Sequence, residues 1–466
     1  MLTWLGQDHI FFWDTVQFAG RHGQWFYHNN FASCLLPESL DSGHPPVFGW
    51  YLALVWQLFG KSLAVSHWAM FPFLVGIVWQ LVRLSHCWLR HISAYWLLFI
   101  LLLDPVLLGQ SVLVSPDLVL TFFFLLALNS IWYGQRGWLA VAALGLAAVS
   151  MRGMMVVAEL VLYQCIVGWP SLRRFRWWDW WLIARPYLPA ALFSALFLWI
   201  HYRQTGWIAY HPDSPWAPSF DRLGPAGVLR NLAILGWRWL DYGRLLLWLP
   251  AFYLLYRQRK TIGKLLGRPV AGEAERKMPQ PVVLLCCLGI MLSISFLMYR
   301  GLQAHRYLLP VFLTFSFCVI IGLDRLPNVR LRRFFLGLML LAMLTGNAWI
   351  YPQRIAQGWD ATLAHWPYYS LREQMLDYLD AADIALEAVG TAFPEIGPLS
   401  DRDLSGRNSG FREKDLQADR YILYSNVMND FSDEEIDGLQ RDWEAVAHFQ
   451  KLGVFITLYA RPDRKL

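Results

Sequence analysis

Along residues 63–350 the chain alternates between long apolar runs and short polar breaks. A helix needs about 20 mostly apolar residues to cross a bilayer. On that measure the pattern predicts ten spans, at 63–82, 92–110, 118–133, 138–151, 153–169, 182–202, 235–256, 282–298, 307–322 and 334–350. Several are short, which predicts spans that are tilted, broken or buried among their neighbours. The stretch 46–60 is apolar but too short to cross, and reads as a re-entrant or surface-lying helix.

After residue 350 the pattern changes. Residues 361–382 have helical spacing, and 421–424 and 454–459 read as strands. Ser432 followed by Glu435 forms an S-x-x-E capping box, which predicts a helix running to about Trp443. Residues 405–410 read as a loop. The fold class predicted is therefore mainly α, a polytopic transmembrane helix bundle over 1–350 with a small α/β extramembrane domain over 351–466. Residues 1–62 form a long first loop of the bundle.

Composition supports this division. Hydrophobic residues make up 56% of the chain and charged residues only 16%, against roughly 25% in soluble proteins. The tail from Tyr351 carries 12 basic and 20 acidic residues, although the whole chain has a net charge of +6. The excess of Lys and Arg therefore lies before the tail. There it occupies loops between apolar runs, which is the membrane pattern and argues against a nucleic-acid partner. Five alternate loops hold 17 of the 28 basic residues that precede the tail: Arg83 and Arg90; Arg136; Arg173, Arg174 and Arg176; the segment from Arg257 to Lys277; and Arg325 to Arg333. The positive-inside rule puts these loops in the cytoplasm, so the first loop and the tail face outward from the cytoplasmic membrane. Trp177, Trp178, Trp180 and Trp181, beside Arg173–Arg176, read as an interfacial anchor. An outward N-terminus without a preceding span predicts a further span upstream of Met1. The first residues do not form a signal peptide. The tail has no cysteine, which excludes a disulfide within it.

Charged residues on the outward side are the candidates for chemistry, because charges at membrane depth are costly and mark function. Phe12-Trp13-Asp14-Thr15 lies in the first loop, which continues to Gly43-His44-Pro45-Pro46. Ser115-Pro116-Asp117 opens a span, and Arg152-Gly153 interrupts an apolar hairpin. Arg300, His305 and Arg306 stand within seven residues, before Tyr307-Leu308-Leu309-Pro310.

This order of motifs resembles the GT-C membrane glycosyltransferases, with bacterial relatives of protein O-mannosyltransferases and lipid A aminoarabinose transferases as the nearest kinds. The resemblance runs from Asp8 to Tyr351. It implies an enzyme that takes a sugar from a polyprenyl-phosphate donor and passes it to a lipid, glycan or protein acceptor outside the cytoplasmic membrane. The family's first outer loop carries an essential acid, commonly Asp followed by Glu. Asp14 matches the first and Thr15 replaces the second.

The transfer requires a base for the acceptor proton and positive charge for the departing phosphate. Asp14 and Asp117 are the catalytic candidates. Arg152, Arg300, His305 and Arg306 are the donor-phosphate candidates, and His44 is a possible substrate-loop residue. Each has an ordinary structural reading too: a loop acid or helix cap for the aspartates, an interfacial anchor for the arginines, a turn residue for His44. Asp104 beside Pro105 is expected to bond freed backbone groups, and Arg238, Asp241 and Arg244 to pair with one another. No spacing demands a metal, so neither metal nor cofactor is expected, although carboxylates with His44 and His305 would suit a divalent ion. The tail is expected to shape acceptor access without contributing a catalytic group. The competing functions are a transporter or flippase of lipid-linked glycans, a ligase or polymerase using a pyrophosphate-linked donor, and a non-catalytic scaffold.

Overall fold

The computed structural model describes residues 1–172, 177–209, 211, 217–266 and 280–462. Arg173, Arg174 and Arg176 of the expected anchor, and Arg268, Arg276 and Lys277 of the expected cytoplasmic loop, lie outside the described residues.

Most of the described chain is helical. Five helices are long and apolar enough to cross a membrane: Leu63–Trp88, Met151–Gly168, Trp178–Thr205, Gln280–Met298 and His305–Asp324. A sixth span results if Ala94–Leu102 and Pro105–Ser111 are counted as one, bent by 71°. The apolar helices Pro116–Trp132 and Arg136–Val149 are shorter than 18 residues. The expected ten spans are therefore not all continuous membrane-length helices. The run at 235–256 is the clearest departure. One helix, Pro225–Arg238, ends where the span should begin, and the next, Trp248–Leu266, starts ten residues on. Between them Tyr242 and Gly243 take left-handed backbone angles, φ 49° and 81°. Gly243 sits so close to Ala342 that a Cβ would lie 2.1 Å from its carbonyl oxygen. The break is thus fixed by packing against Val329–Gly346.

Asp104 bonds freed backbone groups as expected, at the bend between the two half-helices. Its Oδ1 accepts from the amides of Val106 and Leu107 at 3.0 and 3.3 Å, capping the second half-helix. Both its oxygens also accept from Arg244 Nη2 at 2.8 Å. Arg244 therefore pairs with Asp104, whereas Arg238 pairs with Asp241 as expected. The broken helix leaves a shelf on which the tail rests. Gly109 has no room for a Cβ, which would come within 2.9 Å of the Asp360 carbonyl oxygen. Gln110 Nε2 donates to that same oxygen at 2.8 Å. The short apolar stretch after Pro46 forms a helix, Val47–Phe59, packed on His22–His28.

The tail is α/β. Its six-stranded sheet has the order Gly397–Pro398, Gly410–Glu413, Val389–Thr391, Tyr421–Ser425, Val454–Ala460, Glu444–Lys451. Val389–Thr391 runs parallel to both its neighbours, and the other pairs are antiparallel. The expected strands at 421–424 and 454–459 pair from Tyr421↔Ala460 to Ser425↔Ile456. Ser432 and Glu435 form the complete capping box, and the helix runs Asp433–Asp442. The helical reading of 361–382 begins later than expected, at Pro367, after two 3-10 turns. The first residues of the chain share the tail's core. Phe12, Val112 and Leu113 join its apolar cluster, and His9 stacks on Tyr369 at 4.0 Å. Phe12 stacks on His365 at 4.9 Å. Burial pushes both histidines down to about 4, so this seam is built from neutral rings at neutral pH.

Candidate active site

Arg306 lies where the bundle meets the tail. It belongs to the 3-10 turn His305–Leu308, which opens the helix Leu309–Asp324. Its guanidinium donates through Nη2 to Asp14 Oδ2 and through Nη1 to Asp360 Oδ2, and its Nε lies 3.3 Å from Asp117 Oδ2. Three carboxylates from distant parts of the chain thus share one arginine. A planar fork with five N–H donors reaches all three from separate nitrogens, in directions that a single ammonium does not reproduce.

Each partner is held by its own local structure. Asp14 lies within a tight turn. The Thr15 hydroxyl donates to the Phe12 carbonyl at 2.7 Å and accepts from the Phe12 amide at 2.9 Å. Asp117 stands in the first turn of Pro116–Trp132, where the helix dipole favours an anion. Ser115, and not Asp117, supplies the capping oxygen, accepting from the Asp117 amide at 3.1 Å. Arg152 is next to the start of Met151–Leu172 and donates to Asp117 Oδ1. Gly153 makes that placement possible, because a Cβ would fall 1.8 Å from the Leu146 carbonyl oxygen. The Arg152 guanidinium lies over the Tyr307 ring at 4.1 Å, and Arg306 Nη2 donates to the Tyr307 hydroxyl at 3.3 Å. The amide of Met151 donates to His44 Nδ1 at 3.4 Å, which puts the proton of the neutral ring on Nε2. Burial pushes His44 down to about 4, and Arg152 adds to this against the pull of Asp117 and Asp41.

Access separates the three acids. The Asp14 side chain is 33% exposed, against 10% for Asp117 and 5% for Asp360. Arg152 is 18% exposed and Arg306 only 6%. Three carboxylates against two guanidiniums leave one excess negative charge when all are ionised. Burial raises the Asp360 carboxyl above the ordinary carboxylate range; Arg306 opposes the rise, and Asp14 and Asp117 add to it. Among the described residues no group of three or more His, Cys, Asp or Glu side chains is placed to hold a metal ion.

Of the residues singled out in the sequence, Asp14, Asp117, Arg152 and Arg306 meet here, with His44 beside them. Arg300 does not join them. Its side chain is 66% exposed and its nearest acid is Asp221, at 4.0 Å. His305 is buried, but its Nε2 lies 2.6 Å from Asp241 Oδ2, in a separate network with Arg238. Adjacent residues of a 3-10 turn point in different directions, so His305 and Arg306 part company. Asp360 does not figure in the sequence reading, and Tyr307 figures there only as part of a motif, without a role. Asp360 comes from the tail, expected to contribute no catalytic group, and it pairs with Arg306. The only signal for it in the sequence is an acid in Gly358-Trp359-Asp360, shortly after the last apolar run.

The helix bundle with a broken span, the long first loop bearing Asp14 and the α/β tail have counterparts among solved structures. Solved structures similar to this chain include two of ArnT from Cupriavidus metallidurans. With ArnT bound to undecaprenyl phosphate the TM-score is 0.55 at 12% identity, over 98% of this chain and 96% of that one. With ArnT in the apo state it is 0.51 at 12% identity, over 98% and 95%. At this identity the likeness is one of fold. No family model and no curated protein sequence matches the chain.

Proposed function

We propose that this protein is an integral-membrane glycosyltransferase that moves a sugar from a polyprenyl-phosphate donor to an acceptor on the outer face of the cytoplasmic membrane. The observation that carries this reading is the convergence of Asp14, Asp117 and Asp360 on Arg306, with Arg152 alongside. The undecaprenyl phosphate bound in one ArnT structure supports the donor class. Asp14, the most accessible acid, takes the proton of the acceptor nucleophile as that atom attacks the anomeric carbon. The bond from that carbon to the phosphate oxygen breaks, and the phosphate leaves with the electron pair. Arg152 meets the charge that develops there. Arg306 is already engaged by three carboxylates, which favours a role in orienting Asp14 over direct phosphate binding.

Mass spectrometry of lipids and envelope glycans from cells with and without the protein tests this. Loss of the protein should remove one sugar from an acceptor and leave a polyprenyl-phosphate sugar to accumulate. Identical acceptors in both cell types would overturn the reading.

The charge asymmetry of the loops supports an outward tail. Protease added to intact spheroplasts should then cleave the tail. Protection there, with cleavage in inside-out vesicles, would invert the topology and remove the site from the outer face.

A further inference from the structure

Asp14 lies in a segment that the tail grips on both sides. Before it, the Phe11 amide donates to the Arg402 carbonyl at 2.9 Å. After it, Arg21 Nε donates to Asp401 Oδ2 at 2.8 Å and Gln24 Nε2 to the Ser400 carbonyl at 2.9 Å. Gly20 passes so near that a Cβ would come 2.0 Å from the Asp401 carbonyl oxygen. Between these grips Trp13, the residue next to Asp14, takes a left-handed φ of 58°. A bulky side chain adopts that conformation only when its surroundings impose it, and such strain gathers at functional sites. Here the Trp13 ring meets Phe393 of the tail edge to face, with centroids 5.3 Å apart.

The tail segment is itself held rigid from within. Arg402 is 1% exposed; its Nε donates to the Pro394 carbonyl at 2.6 Å and its Nη1 to the Pro398 carbonyl at 2.8 Å. It also reaches the carbonyls of Ile396 and Gly397. Glu395, equally buried, accepts from Arg372 Nε at 2.8 Å and from the Tyr368 hydroxyl at 3.0 Å. A buried ionic network of this kind is costly to desolvate and adds little net stability, but it fixes the geometry of the loop around it.

We infer that tail segment 393–402 is a positioning element for Asp14, holding Trp13 in its left-handed conformation and so setting the angle at which the Asp14 carboxylate meets Arg306 and the acceptor. Phe393 and the Arg21–Asp401 pair are its points of contact. The inference rests on the reading of Asp14 as the base. It gives the tail a part in turnover that a cap or an access filter would not have.

The test uses the full-length protein in detergent, with polyprenyl-phosphate lipids extracted from the producing cells as donor and their membranes as acceptor. Phe393→Ala should lower the turnover number roughly ten- to a hundredfold, as expected for a reacting group displaced by about 1 Å. Half-saturation by the lipid extract and affinity for undecaprenyl phosphate should not change, and Phe393→Tyr should restore turnover. Unchanged turnover per folded molecule would overturn the inference. So would a loss that only parallels weaker binding of undecaprenyl phosphate. If Phe393→Ala does not fold, the charge swap decides. Arg21→Asp and Asp401→Arg alone should each slow turnover and together restore it, and wild-type turnover in both single variants would overturn the inference. Asp14→Asn in the same assay keeps the two claims apart. An active Asp14→Asn removes the base reading, whereas an inactive Asp14→Asn beside a fully active Phe393→Ala removes only the positioning role.

Discussion

Asp14→Asn should lower sugar transfer by about 10²–10⁴-fold, the usual cost of removing a general base, and leave the protein folded. The amide has the shape of the carboxylate, and its oxygen can still accept from Arg306 Nη2. It cannot take a proton from the acceptor. The fold should tolerate the change because Arg306 keeps Asp117 and Asp360 as partners. The cluster moreover goes from three carboxylates against two guanidiniums to two against two. Loss of product with an unchanged melting temperature is the expected pair of observations. Near-normal turnover by the purified variant would refute the role of Asp14. Asp117→Asn provides the contrast. Asp117 links Arg152 to Arg306 and is largely shielded, so its loss should weaken donor binding through a loosened Arg152 as well as slow transfer.

The sequence reveals those parts of the fold that repeat a period or carry a local cap. Apolar runs mark the helices at 63–88, 280–298 and 305–324, and Ser432 with Glu435 marks a helix start that forms as written. Interruptions inside apolar sequence are harder to read. In Leu235–Tyr256 hydrophobicity carries on through Trp239-Leu240-Asp241-Tyr242-Gly243, and only packing of Gly243 against Ala342 reveals the turn. The strands Val389–Thr391 and Gly397–Pro398 have too few residues to display a period of two. At the site, outward sidedness and motif order bring forward Asp14, Asp117, Arg152 and Arg306, because costly charges need a reason to be there. The same argument promotes Arg300 and His305, since neither charge nor order encodes which way a side chain leaves a 3-10 turn. Asp360 is invisible for the opposite reason. It belongs to an acidic tail where one more aspartate carries no signal, and only the shelf made by Gly109 and Gln110 brings it to Arg306.

Arg306→Ala should abolish transfer and also destabilise the protein. Removing one side of a buried ion pair costs about 3–5 kcal/mol, because the charge left behind has no compensation. Here three carboxylates remain, and Arg152, which stays beside them, pairs with Asp117. Arg306→Lys should rescue little, since one ammonium cannot bond Asp14, Asp117 and Asp360 in the directions the guanidinium fork supplies. The pH dependence identifies the cause. Asp360 already sits above its ordinary range by burial, and Arg306 is the principal group holding it down. Without Arg306 it must rise further. A carboxyl whose folded pKa exceeds its unfolded value binds its proton more readily in the native state, so stability is greatest at low pH and is lost as pH rises through the folded pKa. The melting temperature of Arg306→Ala should therefore increase as the pH is lowered through the raised Asp360 pKa. Adding Asp360→Asn should remove that dependence and recover much of the stability, while transfer stays absent. A pH-independent loss in Arg306→Ala would mean that the three carboxylates are not competing for one arginine. The same double variant separates folding from chemistry, because a folded protein that still fails to transfer sugar leaves the orientation of Asp14 by Arg306 as the missing function.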